Sequence, residues 1–233
     1  MTHRSRGSAR TALTRAAFVT APLLILAYGV IRLTDPDHGP GPVWTAGHLA
    51  LAAAMLLFVP VFARLWALAR QGAGRAGRIG AGAATLLGLA GTLAVTVQAC
   101  IDLQVGFRAA DRPAMERLFE QVQSHPGVVP AVYGVGPLLF YVGLIWILVQ
   151  LSARRRVGLW SPLAAVAGTA VGAAGGLDLM PLSAALFCAS LAPLARGPPP
   201  PRAAGGGGPA APPGGGVGRR RCRPLCPPER PPR

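Results

Sequence analysis

No charged residue interrupts the stretch from Val128 to Leu151, and the first to follow it is Arg154. A run like this cannot cover itself in water, where a surface needs charges of both signs. It does fit a bilayer core, which about 20 apolar residues in helical form can cross. Only closed hydrogen bonding survives in lipid, so the run must fold as helix. Three comparable runs precede it: Ala16 to Leu33, Val43 to Ala63, and Ile79 to Ile101. The last apolar block, Val157 to Ala195, is too long for one ordinary span and barely long enough for two. Gly175-Gly176-Leu177-Asp178-Leu179-Met180-Pro181 divides it. Glycine turns the chain, aspartate prefers water, and proline fits a first helical turn. A fifth span over 157–177 and a short sixth over 179–195 are expected, the alternative being one span and a re-entrant segment. The expected fold is therefore all-α, a polytopic transmembrane helical bundle of six spans.

Composition agrees. Hydrophobic residues make up 52% of the chain and charged ones 13%, against about 25% charged in soluble domains. This excludes a soluble helical protein with a large core. All 23 basic side chains are arginine, with no lysine, and asparagine is also missing. Lys and Asn codons begin with two adenines, so a GC-rich, actinobacterial-like genome is expected. The basic start and first apolar run resemble a signal peptide. The run ends in Arg32-Leu33-Thr34-Asp35 with no small-x-small site, which predicts an uncleaved anchor.

Arginine placement predicts orientation. All arginines except Arg32, Arg108, Arg112 and Arg117 fall before the first span, between the second and third, between the fourth and fifth, or in the tail. With six spans these groups share one face, so a basic N-terminus (1–15) and the tail are both expected in the cytoplasm. The expected location is a bacterial inner membrane. Seven of the eight acids, Asp35, Asp37, Asp102, Asp111, Glu116, Glu120 and Asp178, then lie at the outer side. Trp44, Trp66 and Trp160 fall near span ends, where indoles favour the headgroup zone.

The loop between the third and fourth spans, Ala109 to Gly127, is different in kind. Met115, Leu118, Phe119 and Val122 follow i, i+3, i+4, i+7 and share one helical face. Asp111 can cap the helix, Pro113 suits its first turn, and Gly127 can close it. An outer amphipathic helix is expected, apolar face down, either as a connector over the span ends or as a lid.

Ionisable groups inside spans are costly and mark candidate sites. Arg32, His48, Gln98, Asp102 and Asp178 lie at similar depth and are expected to converge under that helix, with Asp35, Asp37 and His38 nearby. Gln98 and Asp102 are four residues apart, as are Tyr28 and Arg32. The cluster fits a proton or cation relay, a divalent metal held by His48 and carboxylates, or an outer-face transfer site with an Asp or His base. It equally fits a structural role, Arg32 neutralising Asp102 or Asp178 and His48 hydrogen-bonded. No His or acid pair has HExxH-like spacing, so no metal or cofactor is assigned. Walker, GxSxG and CxxCH patterns are missing too. A single span histidine argues against haem held between two.

Cys100 and Cys188 lie in spans; Cys222 and Cys226 make a CxxxC in the tail, two ligands short of structural zinc. Gly168, Gly172 and Gly176, and Gly80, Ala84 and Gly88, repeat every four residues, a spacing that lets helices pack closely. Residues 196–233 are Pro/Gly/Arg-rich without apolar periodicity, which predicts a disordered tail. Arg219, Arg220, Arg221 and Arg223 would touch anionic lipid at roughly 1 kcal/mol each. The same vocabulary arises when GC-rich DNA is read in a shifted frame. No aromatics interleave the arginines, so no nucleic-acid partner is expected. The expected partners are the lipid bilayer and a small-molecule or ion ligand. The function expected is a small transporter, permease-like module or accessory membrane subunit. The alternatives are a membrane-embedded enzyme with an outer-face His/Asp site and a purely structural membrane protein.

Overall fold

A computed structural model describes residues 3–35, 37–176 and 178–195, with side chains from residue 12 onward. The tail, with Cys222, Cys226 and its arginines, lies outside the described residues. Every element described is helical. In chain order they are α1 (His3–Leu33), α2 (Pro42–Arg70), α3 (Arg75–Arg108), α4 (Arg112–Gln123), a π-helical segment (Val129–Val135) continuing into α5 (Gly136–Ala153), α6 (Trp160–Gly175) and α7 (Met180–Ala195).

Four helical stretches are long and apolar enough to cross a bilayer: Ala12–Leu33, Pro42–Arg70, Arg75–Arg108 and Val129–Ala153. This is a multi-pass membrane protein. α7 is a shorter apolar helix. The fifth and sixth predicted spans are not among the four: α6 and α7 have 16 residues each, about 24 Å of helix against about 30 Å of hydrocarbon. α2 and α3 also run past their predicted ends. A hydropathy run stops at the first charge, whereas the helix stops where the backbone turns. Here that is Gly72, at φ +68°, beyond the good helix formers of Arg64–Arg70.

The helices form a closed ring. α1 packs between α2 and α7, α3 between α2 and α5, and α6 between α5 and α7, while α2 also touches α5. Sequence neighbours run antiparallel. In the α6–α7 pair, Ser161 Oγ donates to the Ser190 carbonyl at 2.6 Å and Ser183 Oγ to the Gly168 carbonyl at 2.7 Å. Ser183→Ala should cost about 0.6 kcal/mol, the usual worth of such a bond between membrane helices, read by unfolding the purified chain in detergent.

Small residues set the closest contacts. A Cβ on Gly143 would strike the backbone of Gly88, and one on Gly91 the backbone of Phe140. Gly168 and Gly172 meet Ser183 across the α6–α7 contact, and Gly88 seats Phe62. Gly176 does not pack; it ends α6 at φ +53°, where a side chain would be strained. Phe58, Phe62 and Leu65 of α2, Leu144 and Ile147 of α5, and Leu191 of α7 are fully buried. Outward, Leu56, Leu86, Leu93, Leu138 and Leu163 each expose more than half their surface. Such a face is unstable in water and suits contact with lipid.

Candidate functional site

α4 packs over the adjoining ends of α2 and α3. Asp111 Oδ1 accepts from the Ala114 N–H at 2.8 Å, capping the helix as its sequence predicts. Met115 is buried against Trp44 and Val105, with Leu118, Phe119 and Val122 partly buried beside it. Arg112, Glu116, Arg117 and Glu120 are exposed. Arg112 Nη1 donates to the Asp37 carbonyl at 2.9 Å, tying α4 to the α1–α2 loop.

Trp44 lies beneath this cover, only 7% exposed. It stands at the start of α2, near a span end as expected, but faces protein. Its Nε1–H donates to the Asp102 backbone carbonyl at 2.9 Å, which is why the indole turns inward: its one donor is satisfied there. Gly106 makes room, since a Cβ there would sit 2.6 Å from the indole. Trp66 and Trp160 are exposed, with the Arg70 guanidinium 4.5 Å from the Trp66 ring centroid.

Three groups meet around Trp44. The His48 ring lies 4.2 Å from the indole, tilted by 31°. The Arg32 guanidinium sits 4.7 Å over the indole ring. His48 Nε2 is 3.4 Å from Asp102 Oδ2. Tyr133 OH donates to Asp102 Oδ1 at 3.0 Å, and the Tyr28 ring meets the imidazole edge-on at 5.5 Å. Arg32, His48 and Asp102 are all more than nine-tenths buried. His48 and Asp102 each stand six residues from a helix end, so about 9 Å into the bundle.

The Trp44 carbonyl sets the tautomer of His48. His48 Nδ1 is 2.8 Å from the Trp44 carbonyl. A carbonyl only accepts, so Nδ1 carries a hydrogen. In a neutral ring Nε2 then presents a lone pair, and an ionised Asp102 presents another. These face each other at 3.4 Å in a buried site. One shared proton removes the conflict, as imidazolium facing carboxylate or as imidazole facing carboxylic acid.

The other expected members lie elsewhere. Gln98 is half-buried, one turn along α3, without a hydrogen bond among the described residues. Asp178 is exposed in the α6–α7 turn, apart from the cluster. Asp35 accepts from the His38 N–H at 3.1 Å within the α1–α2 loop, and Asp37 is exposed. Arg32 pairs with neither Asp102 nor Asp178. The ion pairs among the described residues are His48–Asp102 and Arg112–Glu116. Arg32 Nε and Nη1 are buried without a hydrogen-bond partner. No three His, Cys, Asp or Glu side chains group as metal ligands among the described residues.

Trp44 and Tyr133 are the members that sequence reasoning missed. Trp44 was legible in principle, four residues before His48 on one helical face. Tyr133 was not, because the π-helical segment that presents it departs from the α-helical register.

With this geometry in hand, comparison adds no relative: the chain matches no known protein family, no curated protein and no solved structure.

Trp44→Phe keeps a ring for His48 and Arg32 but removes the donor to Asp102. It should cost about 1–2 kcal/mol, measured as a lower unfolding midpoint. Chemically the site can hold and release a proton. It has no spare imidazole nitrogen for a nucleophile, since Nδ1 faces a carbonyl and Nε2 a carboxylate.

Proposed function

We propose that this chain is a proton-linked, permease-like module of a bacterial inner membrane, acting alone or as an accessory subunit, and that the His48–Asp102 pair is its proton site. The single observation that carries this reading is the buried 3.4 Å contact between His48 Nε2 and Asp102 Oδ2, on a ring whose Nδ1 is turned to the Trp44 carbonyl. Ionisable side chains at membrane depth commonly serve proton and ion pathways.

The surroundings agree with a carrier closed on both sides. α4 covers the site with Met115 and Phe119. On the other side, Phe58 stands ten residues beyond His48, about 15 Å deeper. Its ring meets Phe140 edge-on at 4.8 Å, and Phe62 joins them at 5.9 Å from Phe140. Six spans are part of the proposal, with α6 and α7 as short ones. The closed ring and the antiparallel α6–α7 pair support it. Arginine placement then puts both termini in the cytoplasm and the α4 end outside. An enzyme with an outer-face His/Asp site has less support, because both imidazole nitrogens are occupied.

The test is proton movement in liposomes carrying the full chain and an enclosed pH-sensitive dye, with a panel of solutes added outside. A solute-driven pH change lost in both His48→Gln and Asp102→Asn is expected. A wild type that moves no protons with any solute, or variants that match it, would contradict the proposal.

A further inference from the structure

Arg32 is the buried charge that the proton site does not use. It is 7% exposed, and among the described residues its Nε and Nη1 have no hydrogen-bond partner and it makes no ion pair. Its guanidinium instead lies over the Trp44 ring. An indole face attracts a cation but accepts no N–H···O bond, so two donors stay unmet. A buried guanidinium in this state is poised for an oxyanion, which its planar donors match.

The charge count ties this to the proton. The buried ionised or ionisable groups at this end are Arg32, His48 and Asp102, with Tyr28 and Tyr133 facing them. α4 turns only Met115, Phe119 and their apolar neighbours inward. Without the shared proton, Arg32 and Asp102 cancel. With it, the His48–Asp102 pair is neutral overall and Arg32 leaves one uncompensated positive charge. In a low-dielectric site that charge favours an anion.

We infer that Arg32 binds a small oxyanion, a carboxylate or phosphate group, and that this binding is coupled to the proton on His48–Asp102. The inference rests on the proton site proposed above and names the substrate class that would travel with the proton. Linkage makes the coupling reciprocal: the anion favours the protonated pair, and the proton favours the anion. Two surface grooves at this end are lined by other residues, among them Thr45, Leu49 and Phe107 in one and Gln104, Arg108 and His125 in the other. Arg32 itself is buried, so an anion would reach it by movement of the α1–α2 loop or α4. Arg112, which bonds across that gap to Asp37, is the contact that would have to open.

The test is calorimetric titration of the full chain in detergent with sodium acetate and with inorganic phosphate. Running it in two buffers of different ionisation enthalpy counts protons. At a pH high enough to strip the shared proton, wild type should bind at least one of the anions and take up about one proton with it. Arg32→Gln should bind at least about tenfold more weakly. Arg32→Lys, which keeps the charge and loses the fork, should fall between them and guards against a folding defect. Asp102→Asn should bind the anion without proton uptake, because its site is positive already.

A second arm uses nanodiscs of phosphatidylcholine with or without phosphatidylglycerol. Stabilisation of wild type by phosphatidylglycerol, lost in Arg32→Gln, would make the oxyanion a lipid headgroup. No stabilisation by any of these probes, or equal binding by Arg32→Gln, would overturn the site. Anion binding without proton uptake at that high pH would overturn the coupling. If dye-loaded liposomes still show proton movement while no oxyanion binds, this inference fails and the proton site stands.

Discussion

Asp102→Ala is expected to destabilise the chain by about 3–5 kcal/mol, the usual cost of removing one partner from a buried ion pair. Two groups lose their partner at once, and a third loses a nearby counter-charge. His48 Nε2 and Tyr133 OH, at 3.4 and 3.0 Å from the carboxylate oxygens, are left facing a void. Arg32 loses the only buried carboxylate at its end of the bundle among the described residues. Asp102→Asn should behave very differently. Its amide oxygen still accepts from Tyr133, and its amide N–H donates to the Nε2 lone pair with no shared proton needed. Its cost should stay below about 1 kcal/mol, as for a conserved hydrogen bond. His48→Ala and the double variant complete a cycle, and a coupling near 2 kcal/mol is expected for groups in direct contact. Denaturant unfolding in detergent measures all four proteins. Additive single effects would show that the two side chains do not act together.

The second large effect lies in the α3–α5 contact. Gly91→Leu and Gly143→Leu should each cost about 3 kcal/mol, the upper end of overpacking penalties, or prevent the folded chain from accumulating. The obstacle is backbone, not a side chain that can swing away: Phe140 N for Gly91, and Gly88 N with the Ala84 carbonyl for Gly143. Relief requires the two helices to part. Gly82 on the same helix is the control, because a Cβ there has open space. Gly82→Ala should gain up to about 1 kcal/mol from helix propensity alone. Thermal aggregation of purified variants checks the series. A Gly91→Leu protein as stable as Gly82→Ala would contradict the packing described.

What the sequence made legible follows from what hydropathy and spacing encode. Long apolar runs with at most one charge identified the four long helices, because lipid leaves the backbone no other choice. The i, i+3, i+4, i+7 pattern of Met115, Leu118, Phe119 and Val122 located α4 and its buried face. Helix ends were less legible, since α2 continues through Arg64 to Arg70 past the last apolar run. For the candidate site, depth along each span identified Arg32, His48 and Asp102 as neighbours in height. Depth says nothing about which way a side chain faces, so it also admitted Asp178, which is exposed. The partner of Arg32 was misjudged for a related reason. Opposite charges at equal height invite pairing, but the indole of Trp44 holds the guanidinium and His48 takes the carboxylate. Tyr133 needed a π-helical segment to reach Asp102, and no periodicity rule reports one.

The central claim is the single proton shared by His48 and Asp102, and nitrogen NMR of the full chain labelled at histidine reads it most directly. His48→Gln assigns the signal. Nδ1, held by the Trp44 carbonyl, should be protonated, and the Nε2 resonance should move when Asp102 is changed to Asn. A bare Nδ1, or an Nε2 indifferent to Asp102→Asn, would contradict it.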